Sequence, residues 1–209
     1  MDIFDKKGIK PMLIAEMVDP FDSDDYIYEL KLDGMRCIAY FNDSSVDFRN
    51  KRDFKLLPRF QELKDIYKNI KHKCILDGEL AVIVNGVPVF SILQRRSILN
   101  DPFKIELASK MNPAIFVAFD VIYFDGDVVV NKPLIERKKL LEECFAEESS
   151  KIAYSRYIEE HGIKLFELAE QQHLEGIVAK KKDSLYWFGK ETRDWVKIKV
   201  MTDEDFVLC

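Results

Sequence analysis

One lysine, Lys31, stands where a covalent reaction could take place. It ends an apolar segment and comes directly before a turn-forming Asp33-Gly34 pair and Arg36. A lysine held at the end of a rigid strand can attack an electrophile as the neutral amine, and neighbouring cations favour that neutral form. The pattern therefore predicts nucleophilic catalysis, and an ordinary surface lysine before a hairpin is the alternative.

Carboxylates and paired lysines recur further along the chain. Asp77-Gly78-Glu79 lies between two predicted strands, and Glu175 opens a segment that leads into a basic loop. Lys197 and Lys199 follow the second tryptophan of the chain, and alternation along a strand directs both side chains to the same face. Two cations on one face indicate a shared anionic target.

The charges of the chain indicate a polyanion that is contacted locally. The 209 residues include 32 Lys and Arg against 37 Asp and Glu, a net charge of −5, which excludes a generally basic nucleic-acid binder. Residues 49–73, however, have a net charge of +6, and residues 180–199 have a net charge of +4. These two basic segments predict phosphate contacts, although an ordinary solvated face would have the same composition.

Several other classes of protein are disfavoured. The four cysteines lie far apart and form no Cys-x-x-Cys motif, which argues against a zinc site. The three histidines lie away from any candidate nucleophile, which argues against a Ser-His-Asp hydrolase. Because the sequence shows neither a signal peptide nor a long apolar run, we expect a cytoplasmic protein without membrane contact.

The elements that must position these residues are mostly strands. Runs of apolar and β-branched residues predict strands at 26–32, 35–41, 74–76, 80–84 and 87–90. Hairpin turns are predicted at Asp33-Gly34 and at Asn85-Gly86. Residues 114–124 are apolar on both faces, which predicts a strand between two layers.

Helices are predicted between these strands, at 57–68, 91–99 with Ser91 as the cap, 133–145 and 163–173. Long strands with hairpins and intervening helices indicate an α+β fold, with mostly antiparallel sheets and flanking helices. We find no internal repeat and no linker, so that one continuous domain is expected.

The order of these motifs resembles that of the covalent nucleotidyltransferases, and specifically of ATP-dependent DNA ligases. The similar segments are residues 31–36, 49–50, 77–79, 119–126, 175–180 and 195–199. Residues 11–13, 90–94 and 182–195 most resemble bacterial ligases of the non-homologous end-joining type. The resemblance covers nearly the whole chain and implies the fold of DNA ligases and mRNA capping enzymes, which is ATP-grasp-like.

The resemblance also implies a reaction. Lys31 would attack the α-phosphate of ATP, expel pyrophosphate and hold AMP as a phosphoramidate. Lys197 and Lys199 would contact the α-phosphate, and Glu175 with Glu79 would lie near Mg²⁺. The remaining nucleotide-binding residues would be Glu29 and the Leu30 backbone at the adenine edge, Phe119 against the adenine face, Val178, and Arg36, Arg49 and Glu79 around the ribose and phosphates. Taken singly, Phe119 could be an ordinary core ring, and Glu79 or Glu175 a surface acid.

The resemblance implies that the substrate is nicked duplex DNA and that the process is DNA repair. It also favours ATP over NAD as the cofactor. Residues 1–200 would form the nucleotidyltransferase (adenylation) domain, and we expect a monomer. Residues 201–209 resemble the linker and first strand of an oligonucleotide-binding (OB-fold) domain that is missing here. We therefore expect the end at Cys209 to be artificial rather than natural.

Two alternatives remain open. An RNA ligase or an mRNA-capping guanylyltransferase would share the lysine chemistry with a different substrate. A catalytically silent nucleic-acid-binding module would keep the fold alone. Such a module has no physical reason to retain all of Lys31, Glu79, Glu175, Lys197 and Lys199, so an active enzyme is favoured.

Overall fold

Two β-sheets form most of the protein in the computed structural model, which describes residues 2–200. The strands, in chain order, are β1 (Leu13–Met17), β2 (Tyr26–Leu30), β3 (Met35–Asn42), β4 (Ser45–Asn50), β5 (Cys74–Val84), β6 (Val87–Pro88), β7 (Ala114–Phe124), β8 (Asp127–Val128), β9 (Ile152–Tyr154), β10 (Tyr157–Glu159), β11 (Gly176–Lys181) and β12 (Glu191–Lys199). The helices are α1 (Ile3–Lys6), α2 (Phe90–Ser97), α3 (Pro102–Met111), α4 (Leu134–Cys144) and α5 (Gly162–Gln171), with short 3-10 helices at Gln61–Leu63 and Ile66–Asn69.

The first sheet has the strand order β1-β12-β11-β2-β10, and the second has the order β4-β3-β5-β7-β8 with β6 and β9 attached. Pairing is antiparallel except between β1 and β12 and between β7 and β9. The second sheet is a continuous insertion, because the chain leaves the first sheet after β2 and returns to it at β10. The predicted α+β class, with mostly antiparallel sheets and flanking helices, is confirmed.

The predicted hairpin at Asp33-Gly34 is wrong, because β2 and β3 lie in different sheets. The segment between them crosses from the first sheet to the second. Gly34 lies so close to β5 that a Cβ atom built on it would come within 2.2 Å of the Leu80 carbonyl oxygen. The glycine therefore permits a close approach of two backbones, and the turn that its type suggested does not form.

Residues 77–79 were also misplaced by the prediction of two strands, because they lie inside the single long strand β5. The register between β5 and β7 shifts between Asp77 and Gly78, where a Cβ atom on Gly78 would meet the Phe116 ring at 2.4 Å. Glu79 is therefore held on a strand. The turn at Asn85-Gly86 is confirmed, with φ angles of 52° and 85°.

Three predicted helices are confirmed as α2, α4 and α5, with ends shifted by a few residues. Residues 57–68 instead form the two 3-10 helices, so the α-helix predicted there is wrong. The residue before α2 is Val89, which makes no capping bond, so Ser91 is not the cap. Helix α3 was missed, although Asp101 accepts a capping bond from the Lys104 N–H and Pro102 follows it.

Both faces of the second sheet are buried. One face, including Phe41, Leu76 and Phe116, packs against the 3-10 segment, and the other, including Ile38 and Ile122, packs towards the first sheet. The prediction that residues 114–124 lie between two layers is thus confirmed. The far face of the first sheet packs against α5.

Within residues 2–200, no helix combines the length and apolar composition needed to span a membrane. The expected start of an OB-fold domain concerns residues 201–209, which lie outside the described part of the chain.

The close approach at Gly34 leads to a stability prediction. Gly34→Ala should lower the free energy of unfolding by about 2 kcal/mol, because the new methyl group must displace the backbone of β5. Gly86→Ala is the control, since its Cβ would meet nothing within 4 Å and only the positive φ costs, about 1 kcal/mol. Urea unfolding of both variants measures the difference, and a smaller loss for Gly34→Ala than for Gly86→Ala would contradict the packing argument.

Candidate active site

A cavity of about 910 Å³ lies between the two sheets. The first sheet contributes side chains from β1, β2, β11 and β12, and the second contributes side chains from β3, β5 and β7. Eight of the predicted site residues line it: Glu29, Leu30, Lys31, Arg36, Glu79, Phe119, Val178 and Lys197. The site predicted from separate motifs is therefore brought together at one place.

Lys31 lies directly after β2, where the chain begins to cross between the sheets. Its backbone N–H donates to the Gly176 carbonyl at 2.9 Å, which continues the pairing of β2 with β11. Its ammonium donates to Glu175 Oε2 at 2.6 Å, and the ammonium of Lys199 lies 3.1 Å from Glu175 Oε1. The Glu175 carboxylate thus bridges the candidate nucleophile and a second cation at the rim of the cavity.

Glu79 faces the same region from β5. Burial raises the pKa of Glu79 to about 8; Lys31 and Arg36 oppose this rise, and Asp77 and Glu175 add to it. Near pH 7 the side chain is therefore mostly protonated without a bound cation. Burial and Glu175 also raise the pKa of Asp33, and Lys31 and Lys199 oppose this rise. An added positive charge would favour ionisation of both carboxyls.

Arg36 is held by a fully buried acid. Its Nε and Nη2 donate to the two oxygens of Asp77 at 3.0 and 2.6 Å, and the Tyr186 hydroxyl donates to Asp77 Oδ2 at 2.6 Å. The Arg36 guanidinium carbon lies 5.2 Å from the centre of the Phe119 ring, which is cation–π distance. This bidentate pair presents the Arg36 guanidinium to the cavity in a fixed orientation.

Glu29 is the most deeply buried carboxylate of the cavity wall, with 2% of its surface exposed. Lys138 and Lys180 lie 3.0 and 3.1 Å from its two oxygens. Burial opposes ionisation of Glu29, but the two lysines outweigh it, and its pKa lies below the ordinary value. Burial lowers the pKa of Lys180 to about 8, against the opposing attraction of Glu29.

An aromatic and an aliphatic side chain line the cavity from different sheets, Phe119 on β7 and Val178 on β11. The ammonium of Lys180 lies 4.5 Å from the centre of the Phe119 ring and 4.3 Å from that of Trp195. Lys197 lines the cavity from β12, where it is the register partner of Val178. These surfaces suit a flat, partly apolar ligand that carries negative charge.

Three predicted site residues do not line the cavity: Glu175 and Lys199, which lie beside Lys31, and Arg49, which is held elsewhere. The Arg49 guanidinium donates to Asp47 and Asp53, each at 3.0 Å, and the cavity is lined instead by its neighbours Lys51 and Arg52. A nucleotide contact by Arg49 stays a prediction.

Sequence reasoning missed Lys138 and left Lys180 unassigned. Lys138 lies on α4 among the buried residues Leu134, Arg137 and Leu141. A charged residue on the apolar face of a helix is the signal that could have identified it, because such a residue needs a buried partner.

The donor chemistry of the site fits Mg²⁺. Within residues 2–200, no group of three or more His, Cys, Asp or Glu side chains could hold a metal by itself. Magnesium is commonly held by one or two carboxylates together with substrate phosphates, and Glu175 and Glu79 could supply those carboxylates.

The chain matches known proteins in sequence. A family model for an ATP dependent DNA ligase domain matches residues 10–199. The SPbeta prophage-derived DNA ligase-like protein LigB of Bacillus subtilis (strain 168) is 31% identical over 191 residues, which are 91% of this chain and 67% of that protein. The bifunctional non-homologous end joining protein LigD of the same strain is 31% identical over 188 residues, which cover 82% of this chain but 31% of that protein.

The fold matches solved structures as well. A mycobacterial DNA ligase D complexed with ATP and MES has a TM-score of 0.79 at 24% identity, and the match covers 97% of this chain and 62% of that one. At this identity the likeness shows the fold alone. The resemblance predicted from the motifs is confirmed by these matches, which give no support to the RNA ligase, capping or silent-module alternatives.

The raised pKa of Glu79 leads to a prediction for the protein without Mg²⁺. Between the unfolded value of 4.5 and the folded value of about 8, the folded state keeps a proton that the unfolded state releases, so this group's contribution to stability falls as pH rises. Glu79→Gln should therefore melt at the wild-type temperature near pH ~4 and a few degrees higher near pH ~8.5. Melting curves in chelator test this.

Glu106→Gln is the matched control, because Glu106 is exposed on α3, where it forms a salt bridge with Lys110. Its melting temperature should show no gain at the higher pH. An equal gain in both variants would mean that the effect comes from net charge rather than from the buried site.

Proposed function

This chain belongs to the family of ATP-dependent DNA ligase domains, and on that premise we propose that it is the adenylation domain of a bacterial ligase of the non-homologous end-joining type. Lys31 would take AMP from ATP, pass it to the 5′-phosphate at a DNA nick, and so allow the 3′-hydroxyl to seal the strand. The observation that carries the proposal is the grouping of Lys31, Glu175 and Lys199 at a cavity of nucleotide size. A role in DNA repair follows from the same premise.

The chemical step begins with loss of a proton from the Lys31 ammonium. Glu175 accepts its hydrogen bond at 2.6 Å and is the nearest acceptor for that proton. The neutral amine then forms a nitrogen–phosphorus bond to the α-phosphate while the bond to the pyrophosphate oxygen breaks. Covalent capture of AMP divides strand joining into steps with lower barriers.

Charge stabilisation is the main task of the other residues. Lys197 lines the cavity and Lys199 lies at its rim, so both can approach phosphate oxygens. Mg²⁺ would supply further neutralisation of the phosphate charge, and Glu175 and Glu79 would hold it. Glu79 would then lose the proton that it keeps in the absence of a cation.

The nucleotide itself would lie between the sheets. The Glu29 carboxylate and the Leu30 backbone would take the adenine edge, and Phe119 and Val178 the adenine faces. Arg36, fixed by Asp77, would contact the ribose or a phosphate. Arg49 would contribute only after leaving its present acidic partners.

Nicked duplex DNA is the proposed partner of the basic surface beside the cavity. Lys51 and Arg52 are exposed at the cavity mouth, where phosphates could be contacted. Not all of the basic charge of residues 180–199 is available, because Lys180 is buried against Glu29. An OB-fold domain as a further partner, a monomeric state and a cytoplasmic location stay predictions.

The proposed function leads to a prediction for the nucleophile. Lys31→Ala and Lys31→Arg should both abolish covalent AMP capture, because neither side chain supplies a neutral amine. Incubation with labelled ATP and Mg²⁺ followed by denaturing electrophoresis measures the capture. Folding should change by less than about 1 kcal/mol, because Lys31 is partly exposed and Glu175 keeps Lys199 as a partner.

Lys164→Ala is the control, since Lys164 is exposed on α5, the helix that packs on the far face of the first sheet. It should capture AMP as well as wild type does. Undiminished label on Lys31→Ala would show that another residue is the nucleophile.

The proposed function also leads to a prediction for DNA binding. Arg52→Ala should weaken binding of nicked duplex severalfold at low salt and reduce the slope of log affinity against log salt by about 1, as expected for one lost phosphate contact. Fluorescence anisotropy at several salt concentrations measures both quantities, with Lys164→Ala again as the control. An unchanged slope for Arg52→Ala would place the DNA elsewhere on the surface.

A further inference from the structure

Lys138 is a buried lysine that reaches the cavity wall from the helix behind it. It lies on α4 with 4% of its surface exposed. Its ammonium donates to Glu29 Oε1 at 3.0 Å, to the Ser155 carbonyl at 3.0 Å and to the Phe119 carbonyl at 3.3 Å. An ammonium has three N–H donors, so all of them are used and the side chain has a single well-defined position.

These three contacts join the parts of the cavity wall that would surround a base. Glu29 lies on β2 in the first sheet, Phe119 is on β7 in the second sheet, and Ser155 lies where the chain returns from the second sheet to the first. Phe119, Ser155 and Glu29 all line the cavity. Lys138 therefore fixes the position of the carboxylate relative to the aromatic ring.

Glu29 keeps acceptor capacity for a ligand. Each carboxylate oxygen has about two acceptor positions; one on each is taken by Lys138 or by Lys180, and the Ser155 side chain takes at most one more. An ionised carboxylate has no hydrogen to donate, so the remaining positions on Glu29 can only accept hydrogen bonds. Both lysines favour the ionised form. Burial alone would raise the pKa of Glu29, but the two lysines outweigh burial and lower it.

We propose that Lys138 is a positioning residue for nucleotide selection, which holds Glu29 as a fixed acceptor for the exocyclic amino group at C6 of adenine. A base with a carbonyl at that position, such as guanine, would place acceptor against acceptor and leave a buried carboxylate without its partner. The inference rests on the proposed function, since it requires that the cavity takes a nucleotide.

The neighbouring buried pair shows why this one is singled out. Arg137, also on α4, donates to both oxygens of Asp120 at 2.9 and 2.8 Å, and both side chains are fully buried. Neither lines the cavity, so that pair can only hold the fold together. The Lys138 pair differs because its acid lines the cavity and keeps free acceptor positions.

The experiment compares the dissociation constants of ATP and of purine riboside triphosphate, which lacks only the amino group at C6. Wild type should prefer ATP by about tenfold or more, the effect of one hydrogen bond to a charged group. Lys138→Met leaves Glu29 paired with Lys180 alone and should reduce this preference to less than about threefold, equivalent to about 0.6 kcal/mol. Lys138→Arg keeps the charge and should retain most of the preference.

Lys139→Met is the matched control, because Lys139 is the exposed neighbour on the same helix and should keep the full preference. If Lys138→Met melts more than about 10 °C below wild type, Lys138→Gln takes its place, since it removes the charge but keeps donors for the two carbonyls. Lys138→Gln should lose the preference for ATP to the same extent as is expected for Lys138→Met.

Two results would overturn the inference. One is wild-type preference for ATP in the neutral variants, and the other is a loss in Lys138→Arg as large as theirs. A wild-type protein that neither binds ATP nor captures AMP would instead remove the proposed function, and the inference with it. Wild-type AMP capture together with an unchanged preference in Lys138→Met would remove the inference alone.

Discussion

The pairing of buried charge is the constraint on which this cleft depends. Asp77 and Asp120 are fully buried and face each other as register partners on β5 and β7. Two buried carboxylates that lie this close need cationic partners, because an unpaired charge removed from water costs a large free energy. Arg36 and Arg137 are these partners, with two hydrogen bonds each. The Arg36–Asp77 pair thus joins β3 to β5 within the second sheet, and the Arg137–Asp120 pair fixes α4 against β7.

Local features of the fold could be predicted from the sequence, but strand partners could not. Asp33-Gly34 and Asn85-Gly86 have the same local turn chemistry, yet only the second forms a hairpin. The difference lies in the packing of Gly34 against the Leu80 carbonyl, a contact between residues far apart in the chain. Helix α3 is the opposite case, since Asp101 and Pro102 are local signals that were present and overlooked.

The site shows the same division. The order of the motifs predicted Lys31, Glu175 and Lys199 as one group, and the structure places them in contact. Lys138 was missed because a lysine in a charged helix usually faces water; its place on the apolar face of α4 indicates burial, but its partner Glu29 is set by tertiary packing. Arg49 shows the converse, because its motif position does not prevent Asp47 and Asp53 from engaging it.

The topology of the first sheet has a consequence for synthesis on the ribosome. Residues 35–154 hold the strands of the second sheet in one stretch, so that sheet can form as soon as the stretch has emerged. The first sheet cannot form at that stage, because β1 pairs with β12 and β2 pairs with β11, which are synthesised last. Until β11 and β12 have been synthesised, the backbone groups of β1 and β2 lack these partners. Unpaired strands favour incorrect pairing, and long-range pairing slows folding. The surroundings of Lys31 therefore form last, after the larger sheet.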